Sequence, residues 1–272
     1  MIFGYFSWGP IARGLLLAFQ KTNLVTPALW VGLDNFHRVL QDPLLVTAAR
    51  NSLWFAILSA VIGFPLPILL ALHIAELRRT RGLATVLAYL PAVIPPVVSV
   101  LLWKQLFQPD GNGLFNTVLG WFGFGPEPWL QSAASAMPSI VLQATWAGFG
   151  SSAVIYVAAL MSVNPDLYDA AELDGASIAR RTWHITLPQI RGVMVLMLLL
   201  QLIGTLQVFT EPFLMTGGGP NNSTVTLLML IYRYAFVNGD FGGASALSVL
   251  LALSLAVISL LYFRLSRRWE AA

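Results

Sequence analysis

Long apolar runs separated by short polar stretches dominate the chain. A helix needs about 20 apolar residues to cross hydrocarbon, and six segments reach or approach that length: Ile2–Phe19, Asn51–Ala75, Leu83–Phe107, Pro138–Met161, Gly192–Met215 and Ala244–Phe263. The first is short and carries Arg13. It lacks a basic start, so it reads as a span or a partly interfacial helix rather than a signal peptide. Prolines fall inside three spans: Pro65 and Pro67 in the second, Pro91, Pro95 and Pro96 in the third, and Pro212 near the end of the fifth. Each removes a backbone donor and frees a carbonyl one turn back. In lipid that carbonyl must find a neighbouring helix or a water-lined cavity. The bends serve either packing or a central pathway. Segment Gln108–Met137, with its Gly, Pro and Trp residues, predicts short interfacial helices. No repeat or low-complexity linker divides the chain. One domain is expected over residues 1–272, with a membrane core at 47–268 and a polar loop at 162–190.

Composition supports this pattern. Of 272 residues, 57% are hydrophobic and 10% are charged, against about 25% charged in soluble domains. The fold class expected is therefore all-α, a polytopic membrane helix bundle of about six transmembrane helices. Basic residues set the orientation. Arg78, Arg79, Arg81, Arg180, Arg181, Arg191, Arg264, Arg267 and Arg268 fall in one set of loops. Lys21, Arg38, Arg50, Lys104 and Arg233 fall in the other. The clustered set predicts cytoplasmic termini and a cytoplasmic 162–190 loop. Trp103, Trp121, Trp129 and Trp269 are expected at the membrane interfaces.

Several chemistries are excluded. There is no cysteine, so no disulfide or thiolate site. No phosphate loop is present. The two lysines, Lys21 and Lys104, follow no glycine, so ATP is not bound by a Walker-type site. His37, His73 and His184 lie in or beside different loops and lack metal-ligand spacing. No metal site, no catalytic constellation and no nucleic-acid partner is expected.

The polar loop begins as a capped helix. Asn164 suits an N-cap and Pro165 the first turn. Asp166 favours the helix dipole, and Gly175 is a C-terminal stop. A helix over about 165–174 is predicted. Tyr168, Ala171 and Gly175 share one nearly bare face, with Asp169 and Glu172 along its edge and Arg180 and Arg181 behind it. Interfacial lipid-binding helices carry basic polar faces. The acidic face here points to a protein partner instead.

Asp169-Ala170-Ala171, then Gly175, then Ile185-Thr186-Leu187-Pro188 resembles the EAA motif of binding-protein-dependent ABC importer permeases. Val31-Gly32-Leu33-Asp34-Asn35-Phe36 and Leu214-Met215-Thr216-Gly217-Gly218-Gly219-Pro220 resemble its carbohydrate branch, of the maltose and glycerol-3-phosphate type. Asp169 stands where the family has glutamate, one methylene longer. The resemblance implies a transmembrane subunit of an ATP-driven sugar importer in a bacterial or archaeal cytoplasmic membrane, working by alternating access. Its implied partners are a second homologous permease subunit, two ATP-binding subunits and an extracytoplasmic substrate-binding protein. ATP and Mg would sit on the ATPase, so this chain itself would hold no cofactor and would not be an enzyme. The 164–175 helix would be the coupling helix, with Tyr168, Asp169, Ala170, Ala171, Asp174, Gly175, Arg180 and Arg181 at the ATPase. Gly217, Gly218, Gly219 and Pro220 would serve binding-protein docking.

Polar residues inside spans are costly unless they pair or line a cavity. Gln143, Trp146, Gln201, Gln207 and Glu211 are the candidates for a substrate pathway, or for hydrogen bonds that only join the bundle. The resemblance implies an oligosaccharide, a sugar or a polyol phosphate as substrate, and the few cations within the spans favour a neutral carbohydrate. The competing reading is a secondary transporter or channel not driven by ATP, which leaves the capped acidic helix unexplained.

Overall fold

The computed structural model describes residues 4–77, 79–111 and 113–270, with backbone alone for Gly4 and residues 267–270. The side chains of Ile2, Arg78, Arg267, Arg268 and Trp269 lie outside the described residues. A π-turn, Gly4–Trp8, leads into α1 (Gly9–Leu17). A small antiparallel hairpin follows, β1 (Gln20–Lys21) with β2 (Leu29–Trp30), placing Gln20 opposite Trp30. All other elements are helical: α2 (Asp34–Leu40), α3 (Pro43–Glu76), α4 (Arg81–Val93), α5 (Pro96–Leu106), α6 (Leu114–Trp121), α7 (Ala136–Met161), α8 (Asp166–Leu173), α9 (Ile178–Gln189), α10 (Arg191–Leu206), α11 (Thr210–Thr216), α12 (Leu227–Val237) and α13 (Phe241–Glu270).

Among the described residues, three helices are long and apolar enough to cross a membrane alone: α3, α7 and α13. Two bent pairs bring the total to five, α4 with α5 at 89° and α9 with α10 at 69°. The first predicted span is only the short α1 behind its π-turn. The second starts at Pro43 rather than Asn51, because Asp42 accepts the Leu44 amide at 2.8 Å and Pro43 opens the first turn. The third breaks at Ile94, whose ψ of 128° is extended. A residue before proline avoids the α region, and Pro95 itself precedes Pro96. The fifth ends at Leu206 and resumes only at Thr210, so Met215 belongs to a separate short helix.

Helix α7 is the central post. Its C-terminal half carries Tyr156, Val157 and Leu160 against Ile68, Ala71 and Ile74 of α3, with Ala84 and Ala88 of α4 packed alongside. Its N-terminal half joins Met137, Ile140 and Val141 to Phe55, Val100, Trp103 and Phe107. The α4 contact is backbone-close: a Cβ added to Gly150 would land on the Ala88 carbonyl. Small residues allow such approach between membrane helices.

Trp103 anchors a ring cluster. It is buried in the bundle, and its ring lies 5.4 Å from Trp146, 5.4 Å from Phe107 and 5.5 Å from Phe115. The 108–137 loop folds back to complete this cluster. Buried Asn116 holds the loop with every side-chain valence used. Its Nδ2 donates to the Gln108 and Glu127 carbonyls, and its Oδ1 accepts the Glu127 amide and Trp129 Nε1.

The segment around Asp34-Asn35-Phe36 is a clasp between the first residues and α13. Buried Asn35 donates to the Ala18 and Gln20 carbonyls, each at 2.9 Å. Arg38 pairs with Asp240 at 2.6 Å. Nearby, Tyr234 donates to Asp42 at 2.7 Å. Burial and then the Asp42 carboxylate raise the Tyr234 hydroxyl above the usual phenol range, so it stays protonated.

Gly150→Val is expected to destabilise the protein by roughly 1–3 kcal/mol through overpacking. Gly148→Ala, where a Cβ meets nothing within 4 Å, serves as control. Thermal unfolding in detergent should show a lowered midpoint for the first variant only.

Candidate functional site

The acidic knob forms as its capping chemistry dictates. Asn164 Oδ1 accepts the Asp166 amide at 3.0 Å, and α8 runs over Asp166–Leu173. Gly175 adopts φ +71°, a left-handed conformation that side chains resist. The Gly175 amide bonds the Glu172 carbonyl and the Ala176 amide reaches back to Ala171, which closes the helix in a Schellman-type stop. A Cβ at Gly175 would meet nothing within 4 Å, so that end of the predicted face is open, while Ala171 and Tyr168 are half-buried.

Side-chain ties between the knob and the following segment are few. Tyr168 donates to Thr186 Oγ1 at 3.2 Å, and Arg181 pairs with Glu172 at 3.3 Å. Arg181 therefore takes Glu172 rather than Asp169. Ala170 is exposed, while Ala171, Asp174, Arg180 and Arg181 line a shallow recess with His184 and Ile185. Apolar side chains stand out around the knob: Leu173 is 90% exposed, and Ile178 and Trp183 also face outward. Below, Thr186 and Ile190 are buried where α9 turns into α10.

A cavity of about 300 Å³ lies between α3, α7 and α10. Ser59, Thr145, Ser152, Tyr156, Gln201 and Thr205 supply its polar wall; Phe55, Phe64, Phe149 and Leu200 are among the apolar side. Among the described residues no charged side chain lines it. Gln201 Nε2 donates to the Ser59 carbonyl at 2.7 Å, in the π-turn Ser59–Gly63 that interrupts α3 just before Pro65.

Only Gln201 of the five pathway candidates lines this cavity. Gln143 is buried inside the bundle, donating to Ser99 Oγ at 3.0 Å with its Oε1 unpartnered. Trp146 packs with the ring cluster around Trp103. Gln207 is exposed and bonds the Ile203 carbonyl one turn back. Glu211 is half-buried in the first turn of α11. The structure thus does not gather these five into one site. Thr145, Ser152 and Tyr156 were missed, although their spacing with Gly148 and Phe149 marks one face of α7. The Gly217–Pro220 loop is knit to its surroundings: Thr224 Oγ1 donates to the Gly219 carbonyl at 2.9 Å, Arg233 reaches the Gly217 carbonyl, and Gly218 is buried while Gly217 is exposed. Among the described residues no group of three or more His, Cys, Asp and Glu could hold a metal ion.

Residues 63–271 match the family described as binding-protein-dependent transport system inner membrane component. The chain belongs to that family. A permease of this kind is the transmembrane component of an ABC importer, which works with an ATPase and partner subunits and is not itself an enzyme. It is 31% identical to a trehalose/maltose transport system permease protein of Thermococcus litoralis, over 88% of this chain and 80% of the relative. It also resembles the structure of a bacterial ABC transporter involved in import of the acidic polysaccharide alginate, at TM-score 0.86 and 31% identity, covering 98% of this chain and 91% of that one. A second structure, of a bacterial alginate ABC transporter in complex with an alginate pentasaccharide-bound periplasmic protein, matches at TM-score 0.85 and 30% identity, over 98% and 90%. The permease fold and its membrane setting are therefore those expected from the motif.

Tyr168→Phe is expected to loosen the knob by about 1 kcal/mol, one lost hydrogen bond. Amide exchange over 166–173 should rise roughly fivefold. Glu172→Ala removes an exposed pair, worth about 0–1 kcal/mol, and should change exchange little.

Proposed function

We propose that this chain is one transmembrane half of an ATP-driven carbohydrate importer, acting as a single domain over residues 1–272. The knob carries this reading. It is a capped acidic helix, open at Gly175, flanked by exposed Leu173 and Ile178, and held to its own chain by the Tyr168 hydroxyl bond and the exposed Arg181–Glu172 pair. A groove on a partner protein fits that surface better than lipid, which would repel its carboxylates. The partner is the ATP-binding subunit, two copies per assembly, with ATP and Mg held there. Tyr168, Asp169, Ala170, Ala171, Asp174, Gly175, Arg180 and Arg181 form the contact, and the knob and both termini face the cytoplasm.

A second homologous permease completes the pathway. The cavity between α3, α7 and α10 is this chain's share, with Gln201, Thr145 and Ser152 offering donors and acceptors and Phe149 an aromatic face. Gln143 and Trp146 support that wall from behind. Gln207, Glu211 and the exposed part of Gly217–Pro220 belong to the opposite end, where an extracytoplasmic binding protein delivers the substrate. The uncharged lining favours a neutral sugar, as the name of the trehalose/maltose relative suggests, over an acidic one like alginate. A secondary transporter would not need the docking knob.

Gly175→Leu should lower substrate-stimulated ATPase and uptake by about tenfold or more, equivalent to ~1.4 kcal/mol. Gly175→Asn separates causes, since asparagine tolerates the left-handed conformation. Loss in both variants assigns the effect to the bare face, and full coupling in Gly175→Leu refutes the docking role. In the cavity, Gln201→Ala with Thr145→Val should cut uptake while the complex still assembles, and Gln207→Ala should not. Uptake equal to wild type in the Gln201→Ala, Thr145→Val double variant would remove the cavity from the pathway.

A further inference from the structure

A second recess lies at the end of the bundle opposite the knob, with a volume of about 420 Å³. Arg50, Leu53, Trp54 and Ile57 of α3 form one wall; Ala133, Met137 and Ser223 form the other, with Asn51 at the base. The turn bearing Ser223 is built in place. Buried Asn51 donates from Nδ2 to the Asn222 carbonyl at 2.8 Å and the Val225 carbonyl at 3.0 Å. The Ser223 amide bonds the Pro220 carbonyl. Two polar groups remain without partners in this rigid setting. Ser223 Oγ has no hydrogen bond but is shut from solvent, so it is closed to a ligand in the recess. Among the described residues, Arg50 has no ion pair, and no carboxylate lines the recess.

We infer that this recess holds one phospholipid of the surrounding leaflet, its phosphate on Arg50 and its acyl chain along α3. Three observations carry this. Arg50 heads an uncovered apolar stripe, with Leu53, Trp54, Ile57 and Val61 all exposed at helical spacing. From Arg50 to Val61 the helix rises about 16 Å, close to one leaflet of a hydrocarbon core roughly 30 Å thick. A guanidinium and an indole at the head of such a stripe match the phosphate and interfacial levels of lipid. The recess also lies roughly half a turn round α3 from Phe55 and Ser59, which face the inter-helix cavity. It is therefore not part of the proposed pathway, and the inference does not rest on that reading. With no acidic group to receive an ammonium, a glycerol headgroup suits the recess better than an ethanolamine one.

The test uses the whole importer, delipidated in detergent and then incubated with vesicles of phosphatidylglycerol or phosphatidylethanolamine. Native mass spectrometry counts the lipid retained on this chain. One tightly held phosphatidylglycerol per wild-type chain is expected, with weaker retention of phosphatidylethanolamine. Arg50→Gln should lower occupancy about tenfold, the loss of one charged hydrogen bond, and Arg50→Lys should restore part of it. Ser223→Ala, which removes an occluded hydroxyl and leaves the turn's backbone bonds intact, should leave occupancy unchanged. Equal occupancy in wild type and Arg50→Gln overturns the inference, as does displacement of the lipid by inorganic phosphate alone. So does a photo-crosslinker replacing Trp54 that captures the binding protein or second permease in place of lipid.

Discussion

In hydrocarbon every backbone donor and acceptor must find a partner inside the protein, and this constraint organises the bundle. Helix α3 is interrupted by a π-turn at Ser59–Gly63, followed by Pro65 and Pro67. The Ser59 carbonyl at that break takes the amide of Gln201 from α10. One side chain thus repairs one helix from another, and the cavity opens beside the repair. At the other ends the same demand is met by amide side chains: Asn35 for the Ala18 and Gln20 carbonyls, Asn51 for the 222–225 turn, Asn116 for the 108–137 loop. Buried asparagine and glutamine serve here as substitutes for the water that is missing.

The local parts of the fold were legible in the amino-acid sequence. Asn164, Pro165 and Gly175 announce the knob because capping depends on neighbours within a few residues. The apolar runs place the spans for the same reason. Bends were readable as bends but not as angles. Pro95-Pro96 implies a break, while the 89° turn depends on what α7 offers through Gly150 and the carbonyl of Ala88.

What was not legible is azimuth. Depth along a span can be counted, but which neighbour a side chain meets cannot. Gln143 and Gln201 look alike as amides within spans, yet one is sealed against Ser99 and the other edges a cavity. Trp103 looks interfacial by position. Its burial is decided by Phe115 and Trp129, which return from a loop that no periodicity describes. The clasp from Arg38 to Asp240 joins residues some two hundred positions apart and likewise has no local signature.

The 69° elbow between α9 and α10 has a mechanical meaning. Thr186 and Ile190 seat it in the core, while the knob hangs beyond it on the Tyr168 hydroxyl. If a partner pulled on the knob, such a seat would serve as a fulcrum, with the two helices as the arms of a bell crank, and the pull would become a tilt of the long inner arm. The far arm carries Gln201, so the amide that mends the broken backbone of α3 is also the point where that tilt arrives. Movement at the knob would then be read in the bilayer as the making or breaking of a single hydrogen bond beside the cavity.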